Sequence, residues 1–261
     1  MKILERHDEN AVCHLHMNAP ERLNALSEEM LEALQTQIES LQTDTSVRVV
    51  VISGAGKAFC AGHDLKQMTA GRQAEDGGKA YFKDLFDRCT SVMTGLQRLP
   101  QPVIAQVHGI ATAAGCQLVA SCDMAVAAEG TRFGVNGVNI GLFCSTPMVA
   151  LSRNIPRKKA FEMLVTGQFI DAHRAEALGL VNTVVTADDL APATQELAQL
   201  VASKLGAAVK IGKQAFYEQA QMGLDDAYAH TGQVMVENML HRDTEEGIAA
   251  FLEKRPPEWS Q

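Results

Sequence analysis

Two segments built from small residues expose backbone that could meet a ligand: Ala58-Phe59-Cys60-Ala61-Gly62-His63-Asp64-Leu65 and Ile110-Ala111-Thr112-Ala113-Ala114-Gly115-Cys116-Gln117. They lie about fifty residues apart, and each follows an apolar, strand-like run. Gly and Ala let another atom come close to the main chain, and an N–H that opens a helix carries partial positive charge. Two such turns side by side offer two donors to one oxygen, an arrangement that holds developing negative charge on a carbonyl such as that of a thioester. Either segment alone reads as ordinary close packing between strand and helix; the pair carries the chemical reading.

The elements that must position these turns follow from periodicity. Residues 11 to 17 alternate, with Cys13, Leu15 and Met17 on one side and Val12, His14 and His16 on the other, and Asn18-Ala19-Pro20 ends that strand. Ser27 caps a helix in which Met30, Leu31, Leu34, Ile38 and Leu41 recur at helical spacing. Val47 to Ser53 reads as a buried strand. Gly71 to Gly78 reads as a polar loop, a lid or a plain linker, ahead of a helix over 79–98. Val103 to Val107 is a strand feeding the second turn, a helix over 113–121 follows, and Met124 to Ala128 is the next strand. This alternation calls for a parallel sheet with right-handed crossovers, hence an α/β fold with ligands at the carboxyl ends of the strands. Past residue 157 the pattern is helical over 157–166, 171–179, 187–203, 206–221, 224–240 and 243–254. Asp171 and Thr186 read as starts, Gly167 and Gly179 as stops.

The bulk composition excludes several classes. A chain of 261 residues with 46% hydrophobic content can bury a sizeable core, and 23 Lys plus Arg against 31 Asp plus Glu argue against nucleic acid as a partner. No run approaches the roughly 18 apolar residues of a membrane span. The start, Met1-Lys2-Ile3-Leu4-Glu5-Arg6, shows neither a signal-peptide core nor an Arg/Ser-rich transit segment, so the expected location is cytoplasmic. Cys13, Cys60, Cys89, Cys116, Cys122 and Cys144 form no C-x-x-C pair and are expected reduced and buried. His14 and His16 are expected on the solvated side of a hairpin, and no metal site is expected. Gly54-Ala55-Gly56-Lys57 lacks the spacing of a phosphate loop and reads as a turn.

The two turns, with Pro102-Val103-Ile104-Ala105 before the second and Cys122-Asp123-Met124-Ala125 after it, resemble the signature of the crotonase (enoyl-CoA hydratase/isomerase) superfamily. Asn24-Ala25-Leu26-Ser27, Leu164-Val165-Thr166-Gly167, Ala175 to Val181 and Phe251-Leu252-Glu253-Lys254-Arg255 extend the similarity over nearly the whole chain. Gly62 to Lys66, Ala111 to Asp123 and Gly141 to Pro147 most resemble the enoyl-CoA hydratase domain-containing protein 3 group. The resemblance implies a crotonase-like (ClpP/crotonase) spiral of ββα turns, with an acyl-CoA-binding core over 1–200 and a helical oligomerisation region over 201–261. It implies a homotrimer or dimer of trimers acting on an acyl-CoA thioester, with coenzyme A as part of the substrate and no separate cofactor.

Carried over position by position, the oxyanion hole would be the backbone N–H groups of His63 and Ala114. Ala61, Asp64, Leu65 and Lys66 would lie along CoA, and Phe251 and Lys254 would reach a neighbouring protomer's CoA. Read as plain residues, Lys66 and Lys254 are solvated lysines, Phe251 a core residue of the last helix and Asp64 a brace for its turn. Hydratases of the family use two glutamates, and their positions fall on Gln117 and Gly137, neither of which can take up a proton. The aspartate of the dehalogenase branch falls on Ser145. Efficient enoyl-CoA hydration is therefore not expected. The open alternatives are a lyase, isomerase or thioester hydrolase resting on oxyanion stabilisation, a weak or conventional hydratase, and a non-catalytic acyl-CoA binder. His63 is a candidate base if its ring points inward. Asn136, Asn139, Cys144, Ser145 and Thr146 are polar groups expected around the acyl pocket, with Ser145 capping a helix ahead of Pro147.

Overall fold

The computed structural model describes residues 2–260. The chain opens with a hairpin of β1 (Leu4–Glu9) and β2 (Val12–Met17), paired from Leu4 opposite Met17 to Glu9 opposite Val12. Its two-residue turn has positive φ at both Asn10 and Ala11, the conformation whose twist suits tightly joined antiparallel strands. β1 escapes sequence reading because it is a largely polar edge strand with no clean alternation. A 3-10 turn at Pro20–Arg22 leads to α1 (Glu28–Leu41), whose first turn is capped by the Ser27 hydroxyl accepting from Met30 N.

β3 (Val49–Gly54), α2 (Leu65–Gly71) and α3 (Lys79–Arg98) follow, then β4 (Val103–Val107), β5 (Ile110–Thr112) and α4 (Ala114–Ser121). Next come β6 (Met124–Ala128), β7 (Arg132–Gly134), a 3-10 segment at Asn136–Ile140, α5 (Ser145–Asn154) and α6 (Arg157–Thr166). The chain ends in β8 (Ile170–Asp171), α7 (Ala172–Leu178), β9 (Thr183–Val185), α8 (Leu190–Ala202), α9 (Gly206–Gln219), α10 (Leu224–Met239) and α11 (Arg242–Glu253).

One sheet runs β1-β2-β3-β4-β6-β9, parallel from β2 onward, and a second runs β5-β7-β8. Strands β4 and β6 each pass almost directly into a strand of the second sheet, β5 and β7, before a helix returns the chain. This repeating β-β-α step is the expected crotonase-like spiral. Gly109 makes the first corner: its φ is +64°, and a β-carbon there would meet Lys57 O at 2.1 Å. One face of the large sheet packs Leu15, Ile52, Val103 and Ala105 against α1, α3 and α4. The other, with Val12, Val49, Val51, Ile104 and Val126, is covered by Leu190, Ala198 and Ala202 of α8.

Several expectations change. His14 and His16 are half-buried on the face that α8 covers, with His16 Nδ1 2.9 Å from Ser53 Oγ, so they are not the solvated side of the hairpin. β8 and β9 interrupt the region read as helical, being too short for periodicity to register. The polar stretch after α2 is a loop, as expected, tightened ahead of α3 by Asp76, which accepts from Gly78 N and Ala80 N, both at 2.9 Å. Ser145 is the first residue of α5 and not its cap, a position taken by Cys144. All six cysteines are free and buried. Among the described residues no helix is long and apolar enough to cross a membrane.

Helix α9 meets the core through charge. Lys213 Nζ donates to Leu96 O (2.9 Å), Gln101 O (2.9 Å) and Asp123 Oδ2 (2.7 Å), while Asp123 also accepts from Val103 N (2.6 Å) and the Tyr217 hydroxyl (2.8 Å). Burial pulls Lys213 below the ordinary lysine range and pushes Tyr217 up.

Candidate active site

The two small-residue turns lie side by side. Cys60 N donates to Ile110 O (3.1 Å) and Thr112 N donates to Cys60 O (3.0 Å), while Ala113 N is taken by Gly134 O (2.9 Å) and Leu26 N by Gly62 O (2.8 Å). Beyond this stitching, the amides of His63 and Ala114 have no protein acceptor among the described residues. A β-carbon on Gly62, whose φ is +88°, would lie 3.2 Å from Ala114 N, so Ala114 N stands close to the residue that precedes the His63 amide. Gly115 is equally constrained, since a β-carbon there would stand 2.2 Å from Cys60 O. Ala113, between them, holds φ 50° and ψ −119°. Such backbone costs a non-glycine residue about 1–3 kcal/mol and is characteristic of functional turns. Ala114 is the first residue of α4, so the partial charge of that helix N-terminus adds to its amide.

Side chains around the pair fall into two groups. Asp64 braces: its Oδ1 accepts from Lys66 N (2.8 Å) and Gln67 N (3.3 Å) at the start of α2, leaving Leu65 and Lys66 exposed beside Ala61. His63 and Gln117 are left open. The His63 ring lies edge-on to Phe86 at 5.6 Å with Nδ1 3.4 Å from Leu26 O, its Nε2 is buried without a partner, and burial pulls its pKa below the ordinary 6.5. Gln117 is buried on the first turn of α4, and its Oε1 has no partner. Side chains on a helix lean toward its N-terminus, which directs Gln117 over the Ala113-Ala114 turn.

Gly137 offers no open place. A β-carbon there would stand 2.3 Å from Leu142 O and 2.8 Å from Cys144 Sγ, so the thiol already fills the space a side chain at 137 would need. Burial pushes that thiol up, which disfavours the thiolate a nucleophile needs. Asn136 accepts from Thr112 Oγ1 (2.6 Å), and Asn139 donates to Gly167 O (3.3 Å). Phe251, 82% exposed, and Lys254, at the end of α11, lie on a helix that packs against α10; Phe251 is not a core residue.

Sequence reading missed the residue that fastens the first turn. Asn24, fully buried in left-handed backbone, donates through Nδ2 to Ala55 O and Ala58 O (both 2.8 Å) and accepts from Ala19 N at 2.9 Å. An isolated Asn in a loop carries no periodic signal, so only the fold shows its three bonds. The wall of Tyr81, Phe82 and Phe86, half-buried and ring-to-ring on α3, carries no signal in the sequence beyond that of a helix.

A family model described as enoyl-CoA hydratase/isomerase matches residues 7–261. The chain belongs to that family, the crotonase superfamily. A crystal structure of enoyl-CoA hydratase from Mycobacterium smegmatis is 53% identical with a TM-score of 0.95, covering 99% of both chains. Enoyl-CoA hydratase domain-containing protein 3, mitochondrial, from Xenopus laevis is 46% identical over 97% of this chain and 84% of its own length. The crystal structure of the human domain-containing protein 3 is 43% identical with a TM-score of 0.94, covering 98% of this chain and 100% of that one. Within the family, the chain belongs to this domain-containing protein 3 group.

The cytoplasmic expectation is overturned, because the Xenopus laevis and Homo sapiens relatives are mitochondrial by name. Free buried cysteines and an acidic surface suit any reducing aqueous compartment, so composition could not separate the two.

Proposed function

We propose that this chain is an acyl-CoA enzyme that binds the thioester carbonyl between the N–H groups of His63 and Ala114 and draws its rate from stabilising the resulting oxyanion or enolate. The observation that carries this reading is that Ala114 N lies beside Gly62, the residue before the His63 amide, and that neither amide has a protein acceptor among the described residues. Efficient hydration is not part of it. Gln117 and Gly137 stand where the family's hydratases carry glutamates, neither can move a proton, and each lost acid or base costs about 100- to 10,000-fold. Ala61, Asp64, Leu65 and Lys66 would run along CoA by their position beside the first amide. Phe251 and Lys254 would reach the CoA of a neighbouring protomer in a homotrimer or dimer of trimers. The exposed Leu224 and Tyr228 of α10, Leu240 at its C-terminal end and Leu252 of α11 support such an assembly, since apolar surface of that kind is usually covered.

A thermal-shift series with CoA esters is expected to raise the melting temperature, while crotonyl-CoA hydration stays slow. Absence of any shift overturns the ligand class. Hydration near 10² per second, typical of a competent enzyme, that survives Gln117→Ala overturns the account of the missing acids.

A further inference from the structure

The His63 ring leaves one of its two nitrogens without a protein partner. A carbonyl can only accept, so the nitrogen facing Leu26 O, Nδ1 at 3.4 Å, is the one that holds the proton in the neutral ring. Nε2 is then a bare lone pair, and it is buried with no protein donor. A buried acceptor without a partner destabilises the fold, and such a group calls for an explanation. Packing gives none, since a Phe or Leu would fill the space against Phe86 without that penalty.

Location supplies the explanation. The residue whose amide forms half of the donor pair also carries this imidazole, and covalent geometry keeps Nε2 within roughly 5 Å of that amide nitrogen. A carbonyl oxygen held by the pair would therefore bring its neighbouring carbons close to the residue that carries Nε2. The aromatic wall of Tyr81, Phe82 and Phe86 runs up to the ring and gives an acyl chain an apolar side to lie against.

We propose that His63 Nε2 is the proton acceptor of this site, taking a hydrogen from carbon 2 of the bound acyl group. This rests on the acyl-CoA reading above. The C2–H bond breaks, its proton moves to Nε2, and its electron pair moves into the carbonyl to leave an enolate oxygen between the amides of His63 and Ala114. Return of a proton from the imidazolium to carbon 2 restores the thioester, so the cycle balances without a co-reactant. Burial supports the role, because it keeps the ring neutral and able to accept at neutral pH. One residue then supplies both the electrostatic donor and the base, a solution open to a site in which Gln117 and Gly137 carry no acid.

The test is independent of the final product. Acetyl-, butyryl- and octanoyl-CoA are incubated with the full-length protein in D2O, in a buffer free of imidazole, and deuterium at carbon 2 is followed by mass spectrometry alongside thermal shift. The wild type is expected to bind at least one ester and exchange its C2 hydrogens. His63→Asn, which keeps the backbone donor, is expected to bind with a similar shift and exchange about 100-fold slower or less. Added imidazole is expected to restore exchange in His63→Ala, and His63→Gln serves if the Asn variant does not fold. Binding without exchange in the wild type, or exchange at the wild-type rate in the folded His63 variants, overturns the base and leaves the acyl-CoA reading intact. No binding of any ester by the wild type overturns both.

Discussion

Two buried polar clusters in this molecule are built on opposite terms. Around Asp123, Lys213 and Tyr217 the three N–H groups of the ammonium each meet an oxygen, and the carboxylate accepts from a backbone amide, the ammonium and a phenol. Around Gly62 the amides of His63 and Ala114, the Nε2 of His63 and the Oε1 of Gln117 all lack protein partners. A cluster whose bonds are closed can only hold elements together, and this one ties α9 to β4 and β6. A cluster left open spends folding stability to keep groups free for something else, and it coincides with the strained φ of Ala113.

The largest effect is expected at the closed cluster. Lys213→Met leaves the largely covered Asp123 without its counter-ion and should cost about 3–5 kcal/mol in urea unfolding. A loss below 1 kcal/mol would remove the distinction between the two regions. Gly137→Ala drives a β-carbon into Leu142 O and Cys144 Sγ and should cost about 1–3 kcal/mol. Its measured stability decides whether a side chain fits there at all. Gln117→Leu should run the other way: with no bond to lose, it is expected to leave stability unchanged or raise it by about 1 kcal/mol. A clear loss would show that the amide is bonded after all.

The smallest effect is a pH dependence. His63 has a folded pKa below 6.5, so between that value and 6.5 the unfolded chain takes up a proton that the folded chain does not. Its contribution is present above 6.5 and lost as pH falls through the folded value. The stability difference between wild type and His63→Asn is expected to shift against the wild type between pH 7.5 and 5.5, measured by urea midpoints; a constant difference would place the ring in a solvated setting.

Much of the molecule was legible before any coordinates. The helix over 79–98, the strands at 103–107 and 124–128, and the caps at Ser27, Asp171, Gly167 and Gly179 follow from periodicity and local backbone chemistry, which act within one turn of chain. The short strands β5, β7, β8 and β9 were not legible, because a strand of two or three residues is specified by its neighbour and not by its own pattern. The failed reading of Ser145 as a cap has the same root, since the chain bends one residue earlier, at Cys144.

By itself the sequence determined which chemistry was present and absent: two small-residue turns that can offer bare amides, and no glutamate at positions 117 and 137. Only the tertiary structure decided that Ala114 N lies beside Gly62 on the other turn, that the space beside Gly137 is taken by Leu142 O and the Cys144 thiol, and that His63 keeps a nitrogen without a partner. The physical reason is range. Residue type fixes what an atom can donate or accept, whereas whether it meets a partner depends on where packing places the rest of the chain, whether seven residues on, as Cys144 is from Gly137, or about fifty, as Ala114 is from His63.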